Sequence, residues 1–564
     1  MKTSVSIGLA TLALFLSIGY GWFQYRGPTP LGIDAPPHQP AAARMRQTLV
    51  DLLGTPPQSH VTGTAGGEAF LKRLETKIQS FGLATQRIEI PWDPATIEYF
   101  PTGQIDLLPK GSLLNNLLVT ISGRDPSLAP LLVATHHDSC RWGPGAGDAG
   151  SAVVALVEHI RILSLRQPQR TVHYLFTDGE EFGLLGANAI AAENPRPFRD
   201  PFFVLNFDAR GTSGGVPMFE TATMNNAWIG ALVNHLARPK ITSSLAVTVY
   251  RSLPNATDFH VFQGKLGWAG FNFATIGSAH HYHQPSDRPE NISDRTLQHM
   301  GDHLFRMHQA FDAIDAEQAQ KIRQQNQQHP ANAVFFDLFG SVVIHFSETN
   351  QLILAICAAA LLAGCLIRYR RPQWFGMFAG TMLKNLIAIV GGSLVGWAAH
   401  FILATTPWVQ LRYTPVDLPA GLLTLAISFL VATWILERQR GSSATATDSG
   451  DVGSDWIWCL NGLLGLILAI VLPGGAYLLI LPSLAYAAVR LTTGHRIASA
   501  SCGWTVAVVI TGPLLVLLVQ SLGPWHQPMY ATISGLLAVL AMTTWNRNSQ
   551  ASRRTLDRRS DPRH

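Results

Sequence analysis

Residues 177–186 read TDGEEFGLLG, from Thr177 to Gly186, and place two adjacent glutamates, Glu180 and Glu181, just after an apolar run. That run, Val172 to Phe176, has the length and composition of a buried β-strand. Adjacent carboxylates repel each other, and burial disfavours the charged form of each. The stretch therefore predicts a strand that ends where a positive partner holds at least one carboxylate ionised.

Polar side chains follow several other apolar runs in the same part of the chain. The motifs are His136-His137-Asp138, the Gly-rich turn Gly145–Ser151 with Asp148, Asn206-Phe207-Asp208, and the cluster His280–Asp287. In open α/β sheets, ligands bind at the carboxyl ends of strands. Imidazole and carboxylate groups without thiolates suit zinc, cobalt or manganese in a hydrolytic site. A divalent metal would use one glutamate as a ligand and leave its neighbour free as a base.

The segment from residue 41 to 320 alternates apolar, β-rich runs with helical patterns. Strands are predicted at Asn116–Ile121, Pro130–Thr135, Thr171–Thr177, Phe202–Phe207, Ala246–Tyr250 and Gly270–Ile276, and helices at Gly67–Phe81, Ser151–Leu165 and Gly183–Glu193. Strands that are apolar throughout and lie between helices are typical of sheets covered on both faces. The sequence predicts an α/β domain with a mixed, mostly parallel sheet covered by helices, followed by a C-terminal all-α membrane domain.

Apolar segments of membrane-spanning length are concentrated after residue 350, with one more at the N-terminus. Seven later spans are predicted at 351–367, 380–404, 417–436, 456–473, 474–491, 501–521 and 527–545. The first stretch, 1–27, is expected to be an uncleaved signal anchor, because aromatic residues flank it and no small-residue cleavage site follows. The predicted order is this span, a Pro-rich linker at 28–40, the α/β domain at 41–320, a polar connector at 321–350, the membrane domain at 351–545 and a basic tail at 546–564.

The arginines of the membrane half predict the orientation of the chain. The predicted inside segments carry Arg368, Arg370, Arg371, Arg438, Arg440, Arg490, Arg496 and the arginines of the tail, whereas the predicted outside loops carry Arg412. This asymmetry follows the positive-inside rule. It predicts an integral membrane protein with eight spans, a cytoplasmic N-terminus and tail, and the 41–320 domain on the extracytoplasmic side, in the periplasm or a lumen. Because the basic tail adjoins a span, it is interpreted as a topology signal, and no nucleic-acid partner is expected.

Cysteine placement excludes a disulfide framework in the α/β domain. Four of the five cysteines, Cys357, Cys365, Cys459 and Cys502, lie in or beside the apolar runs. Cys140 is the only cysteine in the α/β segment, so it has no partner there. No feature that is both cationic and helical supports a nucleophile, no Cys–His–Asn order is present, and Cys140 is expected to be inert.

Taken together, the polar motifs resemble the two-zinc aminopeptidase family, metallopeptidase family 28, which also includes glutamate carboxypeptidases and glutaminyl cyclases. The matching order, from residue 136 to 287, is His-x-Asp, Gly-x-x-Asp-x-Gly-Ser, Glu-Glu-x-Gly-x-x-Gly, Asn-x-Asp and Tyr-His-x-x-x-Asp. A peptidase domain followed by many spans is similar, more narrowly, to the endoplasmic-reticulum and vacuolar-membrane metallopeptidases. The resemblance implies a membrane-anchored exopeptidase, an aminopeptidase by preference, that hydrolyses peptide substrates with two zinc ions, for which cobalt or manganese could substitute.

The resemblance also implies the metal ligands. Asp148 would bridge both metals, His136 and Asp208 would complete one site, and Glu181 and His283 would complete the other. Two nearby departures from the family pattern, Ala149 after the bridging aspartate and Gln284 after the last histidine, remove no ligand.

Four further residues match positions with other roles in the family. Glu180 would be the general base that takes a proton from the metal-bridging water as it attacks the scissile carbonyl. Asp138 would hydrogen-bond the His136 imidazole and fix its tautomer. Tyr282 would stabilise the oxyanion, and Asp258 would be a structural acid near the substrate.

Several alternatives stay open on the sequence alone. His137 competes with His136 as a ligand, His280 and His281 compete with His283, and Tyr282 could be a packing residue. A glutaminyl-cyclase-like transferase on the same fold, or a non-catalytic receptor-type ectodomain, would share the architecture. The complete set of five ligands argues against both, and the sequence does not identify the peptide substrate.

Overall fold

The computed structural model describes residues 2–92, 112–193, 201–253, 255–369, 374–405, 417–441, 449–522 and 526–544. The chain divides into two compact units. One is Gln24–Ser347, and the other combines Met1–Phe23 with Glu348–His564. The first unit is built on a β-sheet, and the described part of the second is helical.

A seven-stranded mixed sheet forms the centre of the first unit. Its strands are β1 (Thr85–Pro91), β2 (Leu113–Ile121), β3 (Leu131–His136), β4 (Val172–Thr177), β5 (Phe203–Ala209), β6 (Met218–Thr221) and β7 (Gly270–Thr275). Their spatial order is β1-β2-β4-β3-β5-β7-β6, with β4, β3, β5 and β7 parallel and the outer pairs antiparallel. Every residue of the four parallel strands is buried, because helices cover both faces. The predicted mixed, mostly parallel sheet is confirmed.

Helices cover both faces of the sheet, and alternate side chains of each strand pack against the helices of opposite faces. After α1 (Lys2–Gln24), the helices are α2 (Ala42–Leu53), α3 (Ala65–Gln79), α4 (Ala152–Leu165), α5 (Leu185–Glu193), α6 (Asn226–Leu232), α7 (Ser244–Ser252), α8 (Asp258–Gly264), α9 (Asp294–Asp312) and α10 (Ala316–Gln328). Leu131 and Val133 of β3 join the core formed with α2, α3, α4 and α9. The alternate residues Leu132 and Ala134 join the core formed with α5 and α8. A period of two thus sends successive side chains into opposite layers.

The predicted strand at Ala246–Tyr250 is wrong, because this stretch lies within α7. Its β-branched residues favour a strand on propensity alone. The structure instead caps a helix with the Ser243 hydroxyl, which accepts a hydrogen bond from the Leu245 amide at 3.2 Å. Ser244 and Val247, three residues apart, then lie buried on one helical face. Local capping and burial at helical spacing outweigh the strand propensity here.

The first unit extends beyond the predicted 41–320 at both ends. The Gln298 side chain of α9 accepts hydrogen bonds from the amides of Leu31 and Ala42, each at 3.0 Å, and so attaches the Pro-rich stretch. The predicted polar connector contains part of α10, which begins with a capping box at Asp315. It also contains a hairpin of β8 (Ala333–Leu338) and β9 (Val342–Ser347). Composition does not reveal such contacts. As a result, the Pro-rich linker and most of the polar connector belong to the first unit rather than lying outside it.

A buried polar network links three adjacent strands of the sheet. Asn206 of β5 donates to the side-chain oxygen of Asn272 on β7 at 2.9 Å. The Asn272 amide nitrogen in turn donates to Glu220 of β6 at 2.8 Å and to Thr257 at 2.7 Å. Burial raises the pKa of the Glu220 carboxyl to about 7, although the hydrogen bond from Asn272 opposes the shift. Glu220 is thus easier to protonate in the folded chain than in the unfolded one.

This shift predicts a pH-dependent effect of Glu220→Gln on stability. Between the unfolded and folded pKa values of Glu220, the folded state binds more protons, so its contribution to stability falls as pH rises from about 4.5 to about 7. The neutral amide avoids this loss. We expect the variant to exceed the wild type in unfolding free energy by on the order of 3 kcal/mol near pH 8 and to match it near pH 4.

Thermal or denaturant unfolding of the full chain at the two pH values checks this expectation. Glu89→Gln, which removes an exposed carboxylate from β1, is the matched control. If Glu220→Gln changed the free energy of unfolding equally at both pH values, the raised pKa of Glu220 in the folded state would be contradicted.

The second unit is a set of apolar helices. With α1 it contains α11 (Glu348–Arg368), α12 (Trp374–Thr405), α13 (Asp417–Gly441), α14 (Ser449–Val471), α15 (Pro473–Thr493), α16 (Arg496–Leu522) and α17 (Gln527–Met542). Among the described residues, six helices are long and apolar enough to cross a membrane, one in each of α11 to α16. The predicted seventh span coincides with α17, which at 16 residues is shorter, as is the apolar part of α1. Arg370, Arg371, Arg412 and the tail at 546–564 lie outside the described residues.

Helices α14 and α15 are separated by Leu472 alone and are joined by polar contacts. Arg490 donates from Nε and Nη2 to the two carboxylate oxygens of Asp455, at 2.9 and 3.0 Å. Asn461 donates to the Ser483 hydroxyl at 2.9 Å. Because an unpaired charge is costly in apolar surroundings, this pairing holds the two helices together.

Candidate metal centre

Three parallel strands deliver the predicted site residues to one edge of the sheet. His136 is the last residue of β3, Thr177 ends β4 three residues before Glu180, and Asp208 is the penultimate residue of β5. Because β4, β3 and β5 are adjacent and parallel, their carboxyl ends meet. Asp148 approaches the same edge from the Gly-rich turn before α4, and His283 from the loop after β7. The structure therefore brings all five predicted ligands together.

The turn after β4 explains how adjacent glutamates coexist. Asp138 accepts hydrogen bonds from the amides of Glu180, at 3.1 Å, and Glu181, at 3.2 Å, through different carboxylate oxygens. Gly183 has a φ of +110°, which lets the chain turn sharply before α5 begins. Both acids therefore lie in a turn before α5, and of the two only Glu181 belongs to a group of potential metal ligands among the described residues.

The first group of ligands surrounds His136. Its Nδ1 lies 3.0 Å from the Asp138 carbonyl oxygen, which can only accept, so the ring proton resides on Nδ1. Its Nε2 lies 3.2 Å from a carboxylate oxygen of Asp148 and 3.4 Å from one of Asp208, and in the neutral ring this nitrogen carries a lone pair. Three acceptors face one another, and a cation between them would satisfy all three.

The second group of ligands surrounds His283. Its Nε2 lies 2.8 Å from a carboxylate oxygen of Glu181 and 3.2 Å from the second oxygen of Asp148. Despite these short distances, no contact of His283 Nε2 with the described residues has hydrogen-bond geometry, and Glu181 Oε1 is likewise buried without a partner among them. The Cys140 thiol completes this group, since its sulfur, a Glu181 oxygen and a His283 nitrogen lie within 4.8 Å of one another. The sequence expectation that Cys140 is inert did not anticipate this placement.

These separations fit divalent metal ions. Metal–ligand bonds of about 2.0–2.2 Å in a tetrahedral site separate neighbouring ligand atoms by roughly 3.3–3.6 Å. The Asp148 oxygens and Asp208 lie at 3.2 to 3.4 Å from the imidazole nitrogens, close to that range. Each Asp148 oxygen faces a different histidine, as a bridging carboxylate requires. The donor set fits two ions that share Asp148.

Carboxylates outnumber cationic side chains among these residues, and the pKa values reflect this excess of negative charge. Burial, followed by neighbouring carboxylates, raises the pKa of Glu180 well above its usual range. Burial and then Asp148 raise the pKa of Glu181 to about 7. Burial would lower the pKa of His136, but Glu180 and the bound carboxylates outweigh it and raise that pKa. The raised pKa values favour protonation of these groups. A bound divalent cation would have the opposite effect, because it favours ionised carboxylates and neutral imidazoles.

Asp138, Asp287 and Tyr282 surround the ligands. Asp138 orients His136 through its carbonyl, and its carboxylate lies 3.5 Å from the same Nδ1. Asp287 accepts hydrogen bonds from the amides of Gly147 at 2.6 Å and Asp148 at 3.2 Å, so it fixes the bridging turn. The sequence motif contained Asp287 but gave no sign of this contact. The Tyr282 ring stacks on His283, with centroids 3.8 Å apart.

Tyr282 and Asp258 both face the carboxylates. Burial and then the charge of Asp148 raise the pKa of the Tyr282 phenol well above its usual range, so the phenol remains a hydrogen-bond donor. Asp258 accepts a hydrogen bond from the Thr177 hydroxyl at the end of β4. Burial raises the pKa of Asp258 to about 7.

Comparison with known proteins matches this region to a peptidase family. Residues 116–308 match the model of Peptidase family M28. The chain is 29% identical over 281 residues to the Vacuolar membrane protease of Eremothecium gossypii, covering 49% of this chain and 26% of that protein. It is 26% identical over 304 residues to the Vacuolar membrane protease of Candida albicans SC5314, covering 53% of this chain and 34% of that protein. The matches thus span about a quarter to a third of these relatives.

Solved structures resemble the same half of the chain. A Zn-dependent exopeptidase from Parabacteroides distasonis has 18% identity and a TM-score of 0.37, covering 47% of this chain and 97% of that one. Glutaminyl cyclase from Porphyromonas gingivalis has 18% identity and a TM-score of 0.37, covering 48% of this chain and 97% of that one. The matched residues 116–308 include all five predicted ligands and Glu180.

Proposed function

We propose that the peptidase family M28 domain of this chain is a two-metal exopeptidase that removes residues from the amino ends of peptides. The observation that carries this proposal is the meeting of two groups of ligand-type atoms on Asp148, with carboxylate oxygens 2.8 to 3.4 Å from the imidazole nitrogens of two histidines. Such a cluster is unfavourable unless cations join it. Zinc suits the nitrogen and oxygen donors of His136, Asp208, Glu181 and His283.

Two bound zinc ions would polarise the scissile carbonyl and make water more acidic. Glu180 is the general base in this proposal, because its carboxylate belongs to neither group of ligands. It accepts the proton of the attacking water and passes it to the leaving amino group. The neutral Tyr282 phenol donates a hydrogen bond to the carbonyl oxygen as negative charge develops there. Asp138 and Asp287 act as positioning residues, since they hold the glutamate turn and the Asp148 turn by amide hydrogen bonds.

A preference for free amino ends follows from the charge of the site. The carboxyls of the centre are Asp138, Asp148, Glu180, Glu181, Asp208 and Asp258. They exceed what two divalent cations neutralise, so the pocket attracts the protonated amino end of a peptide. An acetylated amino end lacks this charge and should bind poorly.

Hydrolysis assays on the zinc-loaded full chain test this function. A panel of fluorogenic aminoacyl substrates is compared with the same substrates carrying an acetylated amino group and with peptides that begin with glutamine. We expect release from the free-amine substrates and little from the acetylated ones. Cyclisation of the glutamine peptides without hydrolysis would instead indicate the transferase, and cleavage of both forms alike would contradict an aminopeptidase.

We further propose that the peptidase domain lies on the extracytoplasmic side of a membrane. Arg368 ends α11, Arg438 lies in the last turns of α13, and Arg490 and Arg496 flank the turn after α15. These are alternate ends of consecutive apolar helices, where the positive-inside rule places the cytoplasm. Lumenal or periplasmic peptides would then be the substrates.

Reporter fusions test this orientation. A reporter that is active only outside the cytoplasm, fused after Ser347, is expected to be active, and the same reporter fused after His564 is expected to be silent. Full activity of the second fusion would contradict the arginine argument. A reporter that works only in the cytoplasm provides the control and should give the opposite pattern.

A further inference from the structure

The second group of ligands contains a cysteine that the proposed mechanism does not use. Cys140 lies in the loop after β3, two residues beyond Asp138, and its side chain is only 2% exposed. Its sulfur lies within 4.8 Å of ligand atoms of Glu181 and His283. We propose that Cys140 is a protein ligand of the second metal, so that the two ions of the centre have chemically different surroundings. This inference rests on the two-metal function proposed above.

The unsatisfied atoms of the second group support a fourth ligand. His283 Nε2 and Glu181 Oε1 are buried without hydrogen-bond partners among the described residues, and a thiol offers at most one weak donor to satisfy them. A metal ion would satisfy the nitrogen, the oxygen and the sulfur together. With bonds of about 2.3 Å to sulfur and about 2.0–2.1 Å to nitrogen, a tetrahedral site separates the two ligand atoms by roughly 3.5 Å. The three atoms lie within 4.8 Å of one another, which is compatible with that separation.

The position of Cys140 distinguishes it from the other cysteines. Cys357, Cys365, Cys459 and Cys502 lie on the apolar helices of the second unit. Among the described residues, the groups of three or more potential metal ligands are the two at this centre, and Cys140 is the cysteine they include. Cys140 therefore lies beside a carboxylate and an imidazole that could bind the same metal ion. Among the described residues, the other four cysteines belong to no such group.

The inequality of the two sites has a chemical consequence. The first group offers three protein ligands, His136, Asp148 and Asp208, which matches a catalytic site with an open position. The second group would offer four, Asp148, Glu181, His283 and Cys140, which matches a more closed and more tightly held site. Thiolate is a softer ligand than carboxylate and favours zinc over manganese. Manganese should therefore replace the first ion more readily than the second.

X-ray absorption of the zinc-loaded full chain tests the sulfur bond directly. The background variant carries serine at Cys357, Cys365, Cys459 and Cys502, so that Cys140 is the remaining sulfur donor among the cysteines. We expect a sulfur scatterer at about 2.3 Å from zinc, in a ratio of one sulfur to two zinc ions. Adding Cys140→Ser should abolish the sulfur signal and weaken binding of one zinc by at least the 10–100-fold typical of losing an outer-shell partner.

The outcomes separate this inference from the proposed function. Two bound zinc ions with nitrogen and oxygen neighbours only would overturn the role of Cys140 and leave the two-metal peptidase intact. Failure of the background variant to bind zinc, while the wild type also binds none, would overturn both. If Cys140→Ser does not fold, the spectrum of the background variant still decides. If the same manganese concentration replaced both zinc ions, the proposed difference between the two metal sites would also be contradicted.

Discussion

Replacement of Glu180 by glutamine, Glu180→Gln, is expected to lower the peptidase rate by about 10²–10⁴-fold while both metals stay bound. The reason is that Glu180 belongs to neither group of ligands, whereas its carboxylate faces the same cluster of charges. Glutamine keeps the shape of the side chain and cannot accept the proton from water. The Glu180 amide still donates to Asp138, so the turn keeps its conformation.

The matched control for this variant is its neighbour, Glu181→Gln. Glu181 contacts His283 at 2.8 Å, so its replacement should lower metal content as well as rate. Metal content by elemental analysis and rates on an aminoacyl substrate distinguish the two variants. Equal loss of metal in both, or a Glu180→Gln rate within a few-fold of wild type, would contradict the assignment of base and ligand.

Replacement of Asp148, the proposed bridging residue, by asparagine (Asp148→Asn) is expected to remove both metals and lower the rate by more than about 10⁴-fold. Each carboxylate oxygen of Asp148 faces a different histidine, at 3.2 Å in both cases. An amide keeps one acceptor and introduces a donor that repels a cation. Loss at this single position should therefore empty two sites at once.

The control for this loss is Asp302→Asn on α9, a carboxyl that accepts a hydrogen bond from Gln298 at 2.9 Å and belongs to neither group of potential metal ligands. It should keep both metals and the wild-type rate. Circular dichroism confirms that each variant is folded. Retention of one metal by Asp148→Asn would show that the two ions do not share this residue.

Much of the fold could be predicted from the sequence because apolar periodicity fixes the buried strands. The runs that became β3, β4, β5 and β7 are mostly apolar, and the structure buries each completely. The polar residues at the ends of β3, β4 and β5 were therefore predicted to meet, and they do. The strand prediction at Ala246–Tyr250 was wrong because β-branched residues favour a strand on propensity alone, and composition does not show that the stretch forms a capped helix.

Contacts between distant parts of the chain could not be predicted from the sequence. Nothing in the Pro-rich stretch at 28–40 indicates that Gln298, far along the chain, would bind its backbone. Similarly, Cys140 looked isolated because its two neighbours at the centre, Glu181 and His283, come from separate loops. The spacing of the motifs pointed to the proposed ligands, and it gave no sign that Cys140 lies beside two of them.

Counting the zinc ions that restore activity tests the two-metal peptidase most directly. The full chain is stripped with a chelator and retitrated with zinc while hydrolysis of an aminoacyl substrate is followed. We predict that activity is absent without zinc and stops rising when two ions are bound per chain. Full activity of the stripped protein, or saturation of activity at a single bound zinc with no second site, would contradict the account.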